Sequence, residues 1–427
     1  MEDKPNNLAE YCQFVVDSGP FDGHKAILNV IDSKQDAVID HKEYNTLINF
    51  TSNNYSGLAG DQRMVDAATE TMKKFGYGMS SAPLMCGFQT IHQELEARLS
   101  DFHGTEDTVL YPSGYHTNVG LFNALFGKYD CIFSDAENHA SIIDGCRLSK
   151  AKTFVYRHLD IDHLEELLQQ AEDYRFKCIV TEGVFSMEAD ILDLPKYIAL
   201  AKKYNAIIYL DECHSVGVLG KTGRGCIEYH GVDPKDIDIM SSTLGKAIGG
   251  GGGGYTTGSK AVMDYLRQVS RTFIFSNSLC APIIGASLKA LDILNSSPKI
   301  FERLRLNGLR FRKNMRANGF YIYGSDDCPI CPVLLYEIGV ARKIETELYK
   351  YGYYTIALAY PVVALKTARM RIIVTANHTY EQIDGLSKAF KELADKYDFF
   401  EKYHKRYAAE LGTFVEPLNQ ITYNPKL

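Results

Sequence analysis

The sequence predicts an α/β protein built on a central, mostly parallel sheet, with a smaller α+β part at its C-terminus. Three observations predict it. From about residue 60, helix-like and strand-like segments alternate, the pattern of a parallel sheet covered on both faces. Around residue 285 this rhythm gives way to one long helical stretch and a short run of strands and helices. The 427 residues, 45% hydrophobic and 23% charged, are ordinary globular composition and enough to bury a sizeable core.

The elements follow in order. Residues 1–50 read as an N-terminal helix and a short extended arm. A helix over 61–75 carries Met64, Val65, Ala68, Met72 and Phe75 at helical spacing and stops at Gly76. A second, over 92–103, carries Leu95, Leu99 and Phe102 and stops at Gly104. Short apolar runs at 109–111, 131–134, 153–156, 178–181, 206–210 and 237–240 read as strands. Helical patterns at 161–171 and 195–204 lie between them. Beyond 285 the pattern predicts one helix over 286–317 and strands at 320–323 and 332–336. A helix over 341–351, two more strands and a final helix over 381–396 complete it. The expected division is an N-terminal helix and arm (1–55), a large domain (56–285) and a C-terminal α+β domain (286–427).

Composition narrows the function. Forty-six basic against 53 acidic residues give a net charge of −7, which argues against a nucleic-acid binder. The apolar runs are too short to span a bilayer. The start Met1-Glu2-Asp3-Lys4-Pro5 has neither an apolar core nor an arginine-rich stretch, so no presequence is visible and the expectation is cytoplasmic residence, with mitochondrial residence as the alternative. The ten cysteines read as free thiols. Cys328 and Cys331 have C-x-x-C spacing, but no second pair follows and a strand does, so no metal site is expected.

Ligands of open α/β sheets bind at the carboxyl ends of strands. After the strand at 206–210 comes Asp211-Glu212-Cys213-His214. After the strand at 237–240 come Ser241, Ser242, Thr243 and Lys246, then six glycines at 249–254. After the strand at 109–111 comes Pro112-Ser113-Gly114-Tyr115 opening a helix, a seat for a phosphate. Taken singly each has a bland reading: a cap and a structural histidine, a solvated lysine, a common turn. Gly220-Lys221-Thr222 is no P-loop end, because Ser215 stands where that motif needs glycine. Together, a strand-end aspartate, a loop lysine and a phosphate-type turn suggest pyridoxal phosphate. The lysine would bind the aldehyde and the aspartate the pyridinium nitrogen.

The stretches from Ser134 to Gly145, Asp211 to His214, Ser242 to Ala247, Leu266 to Gln268, Phe275 to Leu279 and Tyr360 to Val363 resemble the α-oxoamine synthases. These are fold-type I pyridoxal-phosphate transferases, with a seven-stranded type of sheet, and the resemblance spans about residues 20–395. It implies Lys246 as Schiff-base lysine and proton-transfer base, and Asp211 against the pyridine nitrogen. It implies His139 on the ring face and His214 and Ser186 near the ring hydroxyl. Gly114, Tyr115 and Thr243 would hold the phosphate. Phe275 and Ser276 would reach the phosphate of the other subunit of a homodimer. Asn53 and Arg371 would hold the amino-acid carboxylate. The implied reaction condenses glycine with acetyl-CoA to 2-amino-3-oxobutanoate and CoA, run in reverse during threonine breakdown. Two alternatives stand beside it. One is a decarboxylating condensation of serine with a long-chain acyl-CoA, which 31–36 and 218–225 also resemble. The other is an inactive partner subunit, against which Lys246 speaks. The chain departs from the family at Pro83, where an arginine is usual, at Phe88, in the uniform glycines 249–254, and at Ala364-Leu365-Lys366.

Overall fold

The computed structural model describes residues 7–19 and 28–411. The outer ends of the expected terminal regions, 1–6 and 412–427, and the stretch 20–27 lie outside the described residues. In chain order the strands are β1 (Val38–His41), β2 (Asn45–Asn49), β3 (Asp107–Tyr111), β4 (Cys131–Asp135), β5 (Lys152–Tyr156), β6 (Lys177–Glu182), β7 (Ile207–Asp211), β8 (Ile239–Thr243) and β9 (Gly254–Gly258). The C-terminal ones are β10 (Ile330–Tyr336), β11 (Tyr353–Tyr354), β12 (Ala357–Leu358) and β13 (Ala368–Ile373).

The large sheet has seven strands in the order β3-β9-β8-β7-β6-β4-β5. Only β9 runs against the others, pairing antiparallel with both β3 and β8. The central strands are buried on both faces, and their alternation sorts side chains into two cores. Ile179 joins the core that holds Leu164, Tyr197 and Ile198, while Cys178 and Val180 join the one that holds Phe122, Ile142 and Met263.

All six expected strands of this sheet form, β7 and β8 beginning one and two residues later than their apolar runs. The N-terminal helix is Leu8–Asp17, and the helix expected over 61–75 is Gln62–Phe75; the Asp61 side chain accepts the Arg63 N–H and Gly76 ends it at φ 83°. Sequence reading missed β9, because Gly254-Tyr-Thr-Thr-Gly258 has little apolar signal and follows a glycine run. That run is the return from β8 to β9, and Thr243 faces Gly254 across the pair. Gly254 sits where a side chain cannot. A Cβ there would lie 2.6 Å from the backbone of Ser113 and Gly114.

Beyond 285 the fold departs from expectation twice. The helix expected over 286–317 is two, Ala281–Ser296 and Lys299–Ala317, because Pro298 has no N–H to continue the first. The strand expected at 320–323 is one bridge, Ile322 to Val333. Pro332 accepts the Tyr323 N–H at 3.1 Å but cannot donate back, and the Tyr323 carbonyl is taken by buried Arg312 at 2.7 Å. The C-terminal sheet runs β10-β13-β12. Strand β11 instead pairs parallel with β2, joining the N-terminal hairpin to this end of the molecule. The Ile373 N–H donates to the Phe50 carbonyl at 2.8 Å and the Ala376 N–H to the Tyr55 carbonyl at 2.9 Å. Among the described residues no helix is long and apolar enough to cross a membrane.

His158, just past β5, braces the turn after β6. Its Nδ1 lies 2.8 Å from Asp135 and its Nε2 3.4 Å from Asp190. Burial works against its charge, but the two carboxylates outweigh burial and lift its pKa to about 10. The stabilisation this contact gives is therefore full below the ordinary histidine value of 6.5 and is lost as pH rises through about 10. Unfolding free energies of wild type and His158→Gln should converge over that interval; a constant gap refutes the assignment. Gly254→Ala should cost about 1–3 kcal/mol of stability by overpacking, read from urea unfolding, and an unchanged midpoint would rule out the tight approach.

Candidate active site

One cavity of about 160 Å³ opens at the carboxyl edge of the large sheet, bounded by Gly114, Tyr115, Asn118, His139, Ser141, Glu182, Asp211, Cys213, His214, Thr243 and Lys246. Of the residues singled out from sequence, Gly114, Tyr115, His139, Asp211, His214, Thr243 and Lys246 meet here. They arrive on the ends of adjacent strands. Asp211 closes β7, Thr243 closes β8, and Gly114 opens the helix Gly114–Leu125 that follows β3.

Asp211 is buried and tightly held. Its Oδ2 accepts Asn118 Nδ2 at 2.8 Å and its Oδ1 the Cys213 N–H at 2.9 Å. Tyr209, two residues back and so on the same face of β7, donates to Asn118 Oδ1. The second Asn118 amide proton goes to Ser141 Oγ at 2.9 Å, and that hydroxyl lies 2.7 Å from His139 Nδ1. Glu212, next to Asp211 but on the opposite face, caps the Cys226 N–H at 3.1 Å, and burial lifts its pKa to about 8. It is structural.

Lys246 Nζ lies 2.7 Å from His214 Nε2. Burial lowers the lysine's pKa, against the pull of Cys213, Asp211 and Glu182. Burial and the neighbouring Lys246 and Arg371 charges push His214 well below its usual value, so its ring is neutral. Glu182 ends β6 directly opposite Asp211 in register. Burial and the Asp211 charge raise its pKa well above the usual carboxylate range, and its Oε1 accepts the His139 N–H at 2.5 Å.

Arg371 projects from β13 toward Asn53. Its Nε donates to the Ser186 carbonyl at 2.8 Å, Nη2 to Ser186 Oγ at 3.0 Å, and Nη1 to Asn53 Oδ1 at 3.4 Å. Ser186 thus serves the arginine and does not border the cavity. Phe275, 71% exposed, and Ser276 also lie off the cavity rim. Asn118, Ser141, Glu182 and Tyr55 were not legible as site residues. Asn118 stands four positions after Gly114 on one helical face, and Glu182 is a strand end, so both carried a usable signal. Tyr55 carried none.

These residues fit pyridoxal phosphate. Gly114 has no side chain where a Cβ would sit 3.4 Å from Cys213 Sγ and Thr243 Cβ, leaving a cradle at the helix start. The Ser113 side chain caps His116, and the Gly114 and Tyr115 amides belong to a first turn without intrahelical partners, a seat for an anion. A buried carboxylate, an imidazole and a lysine of lowered pKa share the cavity. Among the described residues no cluster of His, Cys, Asp or Glu is placed to hold a metal ion.

Comparison with known proteins agrees with a pyridoxal-phosphate enzyme. Residues 45–390 match the family Aminotransferase class I and II. The mitochondrial 2-amino-3-ketobutyrate coenzyme A ligase of Bos taurus is 46% identical over 347 residues, 81% of this chain and 82% of its own. The enzyme of that name from Escherichia coli K12 is 44% identical over 366 residues, 85% and 92% of the two chains. A serine palmitoyltransferase from S. paucimobilis, solved with a bound PLP–myriocin aldimine, superposes with TM-score 0.84 at 28% identity, covering 92% of this chain and 97% of that one. The chain belongs to the aminotransferase class I and II family, in its α-oxoamine synthase branch.

Proposed function

We propose that this chain is a pyridoxal-phosphate-dependent glycine C-acetyltransferase. It joins glycine and acetyl-CoA into 2-amino-3-oxobutanoate and CoA, and runs in the opposite sense to complete threonine breakdown. The observation that carries this reading is 44–46% identity, over more than four-fifths of the chain, to relatives named 2-amino-3-ketobutyrate CoA ligase. The intact Lys246 cavity supports it.

When bound, pyridoxal phosphate supplies an electron sink for the charge left on the amino acid's α-carbon. Asp211, fixed by Asn118 and the Cys213 amide, would hold the ring nitrogen. Gly114, Tyr115 and Thr243 would hold the phosphate, His139 the ring face and His214 the ring hydroxyl. Lys246 would anchor the aldehyde end, and its Nζ takes the α-proton; burial raises the fraction of free amine. Arg371 orients the substrate carboxylate. Its contacts to the Ser186 carbonyl and hydroxyl and to Asn53 fix the guanidinium plane, and a guanidinium only donates, as a carboxylate requires. The working unit is a homodimer in which Phe275 and Ser276 reach the neighbouring phosphate. The exposure of Phe275 supports this.

The deciding measurement is CoA release with glycine and acetyl-CoA beside serine and palmitoyl-CoA. Turnover is expected with the first pair; turnover with the second alone would establish the palmitoyl activity instead. Lys246→Ala should remove the visible absorption band of the loaded protein and lower kcat by a factor on the order of 10² to 10⁴. Retained turnover would refute the lysine's role. Light scattering should give a mass of twice 47.9 kDa. A monomer that turns over would refute the shared site.

A further inference from the structure

Tyr55 is fully buried in the hydrophobic cluster that also holds Ala247. Its phenol oxygen stands between two functional residues, 2.8 Å from His214 Nδ1 and 3.2 Å from Asn53 Oδ1. The other nitrogen of His214 faces Lys246 Nζ, and Asn53 Oδ1 also receives Arg371 Nη1. The segment is pinned from both sides. Ser56 Oγ donates to the Ala247 carbonyl at 2.6 Å, and the Tyr55 carbonyl accepts the Ala376 N–H. One continuous line of contacts therefore runs from the lysine to the arginine, and Tyr55 is its middle member.

We propose that Tyr55 is a positioning residue. It locks His214 in the Nδ1–H tautomer, so that a ring lone pair faces Lys246 Nζ, and it locks the Asn53 amide with its oxygen inward. The argument starts at the arginine. A guanidinium only donates, so the Asn53 atom it meets is the oxygen. An amide oxygen only accepts, so the Tyr55 hydroxyl spends its single proton on Asn53. The phenol oxygen can then only accept from His214, which places the ring proton on Nδ1. The neutral ring thus offers Nε2 as a lone pair, and the lysine donates to it. Any other order sets two acceptors or two donors face to face at one of the four contacts, a buried mismatch that costs more than a hydrogen bond gains.

This deepens the proposed function and rests on it for its catalytic meaning. A lone pair aimed at Nζ favours the proton-carrying lysine that exists after the α-proton is taken. The inward oxygen leaves Asn53 Nδ2 as its donor for the substrate carboxylate. One hydroxyl thus orders both the base and the carboxylate clamp.

The first test needs no substrate. In the cofactor-free protein, ¹⁵N imidazole shifts should report His214 as the Nδ1–H tautomer. His214 is identified among the twelve histidines as the signal missing from His214→Gln. An Nε2–H tautomer would overturn the proposal. In Tyr55→Phe, which keeps the ring, the His214 signal should move toward Nε2–H; an unmoved tautomer would equally overturn it. In the loaded enzyme the same variant should lower kcat about five- to tenfold, the size of one hydrogen bond, and raise KM for glycine while leaving KM for acetyl-CoA alone. Equal changes in both KM values would mark a merely structural tyrosine. If glycine and acetyl-CoA prove not to be the substrates, the tautomer result still stands or falls by itself.

Discussion

The site depends on how closely two strand ends approach. Strand β9 must slot between β3 and β8 and still meet the Ser113–Gly114 turn, and only a residue without a side chain can stand at Gly254. That contact sets the helix start beside Thr243 and, through the return loop, beside Lys246. Within the glycines of 249–254 several positions also need a left-handed backbone. Gly250 and Gly253 hold φ of 73° and 97°, which lets the loop close on itself with Leu244 N–H on the Gly253 carbonyl at 3.0 Å.

Electrostatics then divide the work among side chains that look alike in sequence. Asp211 and Glu212 are neighbours, yet strand alternation sends one to the cavity and the other to cap a helix. Asp211 and Glu182 face each other on neighbouring strands, and burial together with the Asp211 charge raises the Glu182 pKa well above the usual carboxylate range. Lys246 and His214 are desolvated together, so the lysine's nearest neighbour is a neutral ring instead of a competing cation.

Much of this was legible in the sequence. Strands buried on both faces declare themselves as apolar runs, and looking just past their ends found Asp211, His214, Thr243, Lys246 and the Gly114 turn. What escaped has physical reasons. Strand β9 is paid for by pairing on both sides and by small residues, so hydrophobicity does not mark it. The 320–323 segment has a strand-like pattern, but Pro332 and Arg312 divert its backbone groups. Asn118, Ser141 and Tyr55 act by holding other residues. Their chemistry is ordinary, and only their partners, distant in sequence, give them meaning. Tyr55 and His214 are 159 residues apart.

The seam where β2 meets β11 bears on the order of assembly. Asn53 and Arg371 are 318 positions apart, yet Arg371 Nη1 donates to Asn53 Oδ1. A chain emerging from the ribosome can complete the large sheet, and with it the cradle and the lysine loop, long before β13 exists. The cavity at the sheet edge can therefore form during synthesis, while the contact between Asn53 and Arg371 must wait for β13 to close a loop of 318 positions. A truncated chain would accordingly be a cofactor binder before it could be an enzyme.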